Sequence, residues 1–247
     1  MGLGKTVQAL AAVAQTQSYP LLLVVPPHLV TNWQREIQSF LQNADSSEPS
    51  VHVIRGLKPY ELPEAQIYII HYLLLRGWKT ALPQIDFEAV VFDEIQELRH
   101  SGTEKYSAAS LLAEKAPRVW GLSGTPIYNR GGEIWNVINI LDFHALGDWE
   151  SFTREWCYGY GNRIVQKPDL LGEHLRAEGL MLRRTKQEVL KELPPKRRLV
   201  MTVDSDEGVY RRLMEPVNQT LRLMRGAADA NASQRALWEM EIERGER

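Results

Sequence analysis

Gly2-Leu3-Gly4-Lys5-Thr6-Val7-Gln8-Ala9-Leu10-Ala11-Ala12-Val13-Ala14, at the head of the 247-residue chain, is the stretch that decides the fold. Gly4-Lys5-Thr6 closes the phosphate-loop pattern G-x-x-x-x-G-K-[ST], whose opening position is expected before residue 1. Gly2 and Gly4 allow backbone N–H groups to turn toward phosphate oxygens. The Ala-rich segment from Thr6 to Ala14, free of Gly and Pro, predicts a helix whose positive N-terminus completes the cradle. In that pattern Lys5 reaches the β and γ phosphates and the Thr6 hydroxyl ligates Mg²⁺. Taken alone, the tripeptide has a plainer reading, a glycine loop capping a helix, so a second element must decide.

Working outward, Leu21 to Val25 is a run of five apolar residues ended by Pro26-Pro27, the mark of a strand covered on both faces. A helix is predicted from about Val30 to Leu41, a polar loop from Gln42 to Ser50, and strands at Val51 to Ile54 and Ile67 to His71. Ala89 to Phe92 is a further strand, ending at Asp93-Glu94. Acids commonly end a strand because they are solvated there. After a phosphate loop, however, the same place carries an Asp that holds Mg²⁺ and a neighbouring carboxylate that orients or deprotonates the attacking water. A helix over Tyr106 to Lys115, a strand over Arg118 to Leu122 and a helix from Gly131-Gly132 through Leu141 complete an α/β alternation around a mostly parallel sheet. Beyond about Asp142 the sequence predicts helices over Asp148 to Trp156 and Leu170 to Glu178 with a loop over Tyr158 to Asn162 between them. Thr185-Lys186-Gln187-Glu188 has capping-box spacing and opens a short helix that Leu193-Pro194-Pro195 stops; a strand over Arg198 to Val203 and long helices over Glu207 to Arg225 and Gln234 to Arg244 follow.

Leu122-Ser123-Gly124-Thr125-Pro126 follows another strand, and as a small-residue turn it needs no function. Its place in the order gives it meaning. The chain here resembles the Swi/Snf family of helicase superfamily two. Met1 to Thr6 is similar to that family's motif I, Val24 to Trp33 to motif Ia, and Ile70-His71-Tyr72 to the next segment. Asp93-Glu94-Ile95-Gln96 is similar to the DExx box, and Gly121 to Asn129 with Ile134-Trp135 to the motif III region. Met181 to Lys186 with Leu193-Pro194-Pro195-Lys196 resembles the segment leading toward the second lobe, so the likeness runs from residue 1 to about 213.

The resemblance implies a P-loop, RecA-like parallel sheet flanked by helices: a first ATP-binding lobe over residues 1–145. A mainly helical extension over 146–247 would serve as a family-specific insertion and linker. It implies ATP and Mg²⁺ as cofactors and the backbone of double-stranded DNA as partner. A second RecA-like lobe is expected to supply an arginine to the γ-phosphate. On this reading Gly2, Gly4, Lys5, Thr6 and Gln96 contact nucleotide, Thr6 and Asp93 hold the metal, and Glu94 activates water. Pro27, His28, Asn32 and Thr125 would lie along DNA phosphates, positioning the duplex without reading its sequence. The family's DExx box usually ends in His, whereas Gln96 hydrogen-bonds but does not titrate. Nothing after residue 213 resembles second-lobe motifs. An arginine finger is worth on the order of 10³ to 10⁵ in rate, so this lobe alone is expected to hydrolyse ATP poorly.

Three alternatives stay open on the residues: a nucleotide- or DNA-binding module that works only with a separate second lobe, a single-lobe P-loop kinase or GTPase, and a structural scaffold with no ligand. A GTPase would need an Asn-Lys-x-Asp motif, which the sequence lacks. The seven basic residues between Arg183 and Arg198, set against Glu188 and Glu192, read as a solvated face or a phosphate track. Trp33, Trp120 and Trp135 read as core.

Composition sets the remaining bounds. The net charge of -2 gives no general electrostatic case for nucleic acid, so any DNA contact must be local. A single cysteine, Cys157, excludes an intramolecular disulfide and a multi-cysteine metal site, and the six histidines lack ligand spacing. The apolar runs are far shorter than the roughly 18 residues of a membrane span. Gln8 interrupts an N-terminal apolar segment that is short for a signal peptide. The expected setting is the cytoplasm of a bacterium or phage host, or a nucleus.

Overall fold

Apolar runs that both faces bury build the main sheet. Its five parallel strands are β1 (Leu21–Val25), β2 (Val51–Val53), β3 (Ile67–His71), β4 (Ala89–Asp93) and β5 (Val119–Leu122), in the order β2-β3-β1-β4-β5. The computed structural model describes residues 2–43, 46–125, 130–159 and 164–192, with Gly208 and Glu215 beyond them. In β1 all five residues are fully buried. Each such side chain contributes about 1.5–3 kcal/mol relative to exposure, which makes this strand the anchor of the sheet.

Alternation along the strands divides the core into two layers. Leu21, Leu23 and Val25 pack with Ala89 and Val91 beneath α1 (Lys5–Thr16) and α2 (Val30–Phe40), through Ala9, Leu10, Val13, Trp33 and Ile37. Leu22, Val24, Val90 and Phe92 face the other way. They pack against α3 (Leu75–Trp78), α4 (Glu104–Lys115) and α5 (Gly131–Leu141). The expected α/β class is therefore what the described residues adopt. The period of two in β4 has one consequence for the site: Asp93 follows Ala89 and Val91 onto the face covered by α1 and α2.

Beyond the sheet, a third cluster joins Ile134 and Ile138 of α5 to Phe152, Cys157, Val165, Leu171 and Leu175. These belong to α6 (Trp149–Trp156), a small antiparallel pair β6 (Cys157–Tyr158) and β7 (Ile164–Val165), and α7 (Pro168–Ala177). Asp148 caps α6 by accepting from the Ser151 N–H at 2.8 Å. Thr185 and Glu188 close the expected capping box on α8 (Lys186–Val189), at 3.3 and 2.7 Å. Residues 1–191 form one compact unit.

Two expectations are corrected. Tyr158 lies in a strand rather than a loop, because a two-residue ladder is too short to show alternation in sequence. The helix Leu75–Trp78 was not expected, since Gly77 lowers helix propensity. That glycine is required: a Cβ there would lie 2.0 Å from the Leu57 carbonyl oxygen. The strand expected over 198–203, the Leu193-Pro194-Pro195 stop and most of the two long C-terminal helices lie outside the described residues. So do Pro126 to Asn129.

Candidate active site

The loop at the head of the chain has the conformation its glycines suggest. Gly2 and Gly4 have φ of +78° and +69°, in the left-handed region that a side chain strains. Gly4 forms the N-cap of α1, and no side chain caps the helix. The first N–H groups of an α-helix have no intrahelical acceptor, so this terminus keeps its donors for an anion. A Cβ added at Gly4 would meet nothing within 4 Å, so that side of the loop is open. At Gly2 a Cβ would come within 3.6 Å of Lys186 Nζ. The exposed ammonium of α8 therefore lies beside the loop, a placement that sequence reasoning missed.

Asp93 ends β4 at 6% exposure, facing α1 and α2. Its Oδ2 accepts from Trp33 Nε1 at 2.8 Å, and its Oδ1 accepts from the Glu94 N–H at 2.9 Å. The Tyr72 hydroxyl donates to its main-chain oxygen at 2.8 Å. Burial pushes the Asp93 carboxyl above the usual carboxylate range, and the Glu94 charge adds to this. The Trp33 indole, the Glu94 N–H and the Lys5 ammonium pull the other way. Lys5 thus acts on the Asp93 carboxyl through space, the smallest of these influences, which sets the loop lysine toward the strand-end acid.

Glu94 adopts a left-handed backbone with φ of 48°, uncommon for a residue with a side chain. The turn continues as the 3₁₀ segment Ile95–Leu98, closed by the Glu97 N–H donating to the Glu94 carbonyl at 2.9 Å. Gln96 Nε2 makes a short hydrogen bond to Glu94 Oε2. Its Oε1 accepts from Ser123 Oγ at 2.8 Å, and Ser123 Oγ accepts from the Thr125 N–H at 3.1 Å. An amide carries both a donor and an acceptor, so Gln96 bridges the acid and the turn after β5 without titrating. Arg99 donates to the Gln96 carbonyl at 3.2 Å, and Asn136 on α5 donates to the Arg99 carbonyl at 2.8 Å, tying this turn to the helix layer.

The remaining candidates occupy the same carboxyl end of the sheet. Pro27 and His28 are exposed in a single 3₁₀ turn, Pro27–Leu29, directly after β1, and Asn32 is exposed in the first turn of α2. Thr125 is exposed just beyond β5. Ligands of open α/β sheets bind at this end of the strands. Trp33 is core at 1% exposure, yet its N–H has a polar role. Trp120 and Trp135 are only half-buried. Arg183, Arg184, Lys186 and Lys191 are exposed. Lys196, Arg197 and Arg198 lie outside the described residues.

The residues fit a magnesium nucleotide: uncapped helix N–H groups, an open glycine turn, a lysine, and a hydroxyl and a carboxylate as hard oxygen ligands. Mg²⁺ keeps several waters and is typically held by one or two carboxylates together with substrate phosphates. Among the described residues no three His, Cys, Asp or Glu side chains cluster so as to hold an ion unaided.

Residues 1–240 match the SNF2-related domain. The chain belongs to the SNF2-related family. Among relatives of this SNF2-related chain, the mouse DNA annealing helicase and endonuclease ZRANB3 is 28% identical over 91% of the chain and 22% of its own length. The SWI/SNF-related matrix-associated actin-dependent regulator of chromatin subfamily A-like protein 1 of Xenopus tropicalis is 31% identical over 85% of the chain and 22% of its own length. The structure resembles the Sulfolobus solfataricus SWI2/SNF2 ATPase core solved in complex with dsDNA, with a TM-score of 0.61 and 26% identity. That likeness covers 78% of this chain and 41% of the solved one. The SNF2-related chain therefore has the RecA-like architecture and spans about a fifth of these two curated relatives. No described helix is long and apolar enough to cross a membrane.

Proposed function

We propose that the chain is the first lobe of an ATP-dependent double-stranded DNA translocase of the chromatin-remodelling or DNA-repair type. Residues 1–145 form the nucleotide lobe and residues 146–247 a helical insertion and linker. The observation that carries this reading is the pairing of an open, left-handed glycine turn at the start of α1 with a buried Asp93 at the end of β4, whose carboxyl the Lys5 ammonium lowers through space. Lys5 and the loop N–H groups bind the triphosphate, and Lys186 adds a second cation beside Gly2. Thr6 and Asp93 hold Mg²⁺, which when bound would neutralise phosphate charge. Glu94 orients the attacking water. Gln96 links that carboxylate to Ser123, so nucleotide state and the turn carrying Thr125 move together. Pro27, His28, Asn32 and Thr125 take the DNA backbone.

A second RecA-like lobe supplies the arginine that stabilises the transition state, and the 247-residue chain by itself turns ATP over slowly. The protein works in the cytoplasm or the nucleus, where DNA is found. The test is fluorescent-ATP binding by wild type and Lys5→Ala. The substitution is expected to abolish binding, and affinity surviving within a few-fold overturns the assignment of the loop. DNA-stimulated turnover by the 247-residue chain alone would overturn the need for a second lobe.

A further inference from the structure

We propose that Trp33 is a positioning residue: its indole N–H fixes the Asp93 carboxylate in the orientation that receives the metal of a metal–nucleotide complex. The inference rests on the nucleotide reading above. It goes beyond that reading by giving a role to a side chain that the sequence assigns to the core.

The two oxygens of Asp93 are each held by a different donor, Oδ2 by Trp33 at 2.8 Å and Oδ1 by the Glu94 N–H at 2.9 Å. Two donors on opposite oxygens fix the plane of a carboxylate, and neither competes for a metal, because an indole N–H and a peptide N–H only donate. The support is stiff on every side. Trp33 and Ile37, four residues apart on α2, are 1% and 0% exposed and pack on the sheet face that Asp93 shares. The Tyr72 hydroxyl holds the Asp93 carbonyl at 2.8 Å, so main chain and side chain are both pinned. An apolar replacement would fill the volume but leave a buried carboxylate oxygen without its donor. Trp33 also follows Asn32 and the Pro27–Leu29 turn, so the exposed start of α2 and the grip on Asp93 belong to one continuous segment. Metal ligands held by outer-shell hydrogen bonds commonly lose about 10- to 100-fold in metal affinity when that partner is removed.

The experiment compares wild type, Trp33→Phe and a protein carrying β-(3-benzothienyl)alanine at position 33, which replaces the indole N–H by sulfur at nearly constant shape. For each, affinity for a fluorescent ATP analogue is measured with Mg²⁺ and with EDTA. Metal-free affinity reports an intact loop and fold, and the gain on adding Mg²⁺ reports the carboxylate. The expected result is metal-free affinity within about twofold of wild type and a Mg²⁺ titration midpoint raised about tenfold or more. If Trp33→Phe loses metal-free binding as well, the benzothienyl protein decides. An unchanged Mg²⁺ midpoint there overturns the role of Trp33 while leaving the nucleotide site standing. A wild-type chain that binds the analogue with no gain from Mg²⁺ overturns the metal-site reading itself.

Discussion

Gly121 on β5 lies opposite Phe92, immediately beside the acid-bearing turn. In Gly121→Ala the new Cβ would lie 2.7 Å from Ile95 Cδ1, 3.2 Å from Ile95 Cγ2 and 3.1 Å from Leu141 Cδ2. Ile95 is 3% exposed, so it has little room to retreat, and it is the first residue of the 3₁₀ turn that carries Gln96. Overpacking of this size costs about 1–3 kcal/mol. For a domain of this size each kcal/mol lowers the melting midpoint by about 2–4 °C, so a fall of roughly 2–12 °C is expected. Ile95→Val removes the nearest atom and by itself costs about 0.5–1.5 kcal/mol. The double variant should therefore recover part of the loss, with a favourable coupling of about 0.5–3 kcal/mol. Urea and thermal unfolding followed by circular dichroism measure all four proteins. Strict additivity, or a destabilisation by Gly121→Ala below about 0.5 kcal/mol, refutes the claim that β5 presses directly on the acid turn.

Further outcomes follow from the same site. Ser123→Ala removes the donor to Gln96 Oε1 and the acceptor of the Thr125 N–H, two hydrogen bonds worth about 0.5–1.5 kcal/mol each. Nucleotide affinity should stay within about twofold, while DNA stimulation of ATP turnover by the complete motor falls; equal loss of both contradicts the relay. Because burial raises the Asp93 carboxyl in the folded chain, the folded state binds that proton more tightly than the unfolded state does. The resulting stability is present below the unfolded carboxyl range and is lost as pH rises through the raised folded value. The urea midpoint of wild type minus that of Asp93→Asn, measured without metal, should therefore fall as pH rises from about 4 toward neutrality. A difference that stays flat contradicts it. Asp148 and Glu188, held low by cap hydrogen bonds, act with the opposite sign and cancel in that difference.

The sheet and the acid pair were legible because their signals are local. Leu21 to Val25 is apolar on both faces, and the acids end an apolar strand. What sequence reasoning missed depends on distant residues meeting. Trp33 and Asp93 are far apart in the chain, and burial statistics for tryptophan speak of the ring, not of its N–H. The departure at Gln96 was visible, but its bridge to Ser123 was not, because both residues are also ordinary turn residues. Lys186 belongs to a basic run that charge pattern alone cannot place, and only the folded chain brings it beside Gly2. The helix at Leu75–Trp78 was hidden by a glycine whose reason, the nearby Leu57 carbonyl, is tertiary.

Iron-directed cleavage tests the central claim most directly: Fe²⁺ replaces Mg²⁺ beside a non-hydrolysable ATP analogue. Hydrogen peroxide oxidises it to Fe³⁺ and yields hydroxyl radicals at the metal, ascorbate reduces the iron back to Fe²⁺, and mass spectrometry maps the cuts. One shared metal predicts two nucleotide-dependent cuts, beside Lys5-Thr6 and beside Asp93-Glu94, both lost in Asp93→Asn. Cuts at only one of these places, or elsewhere in the chain, would show that the loop and the acids do not share an ion.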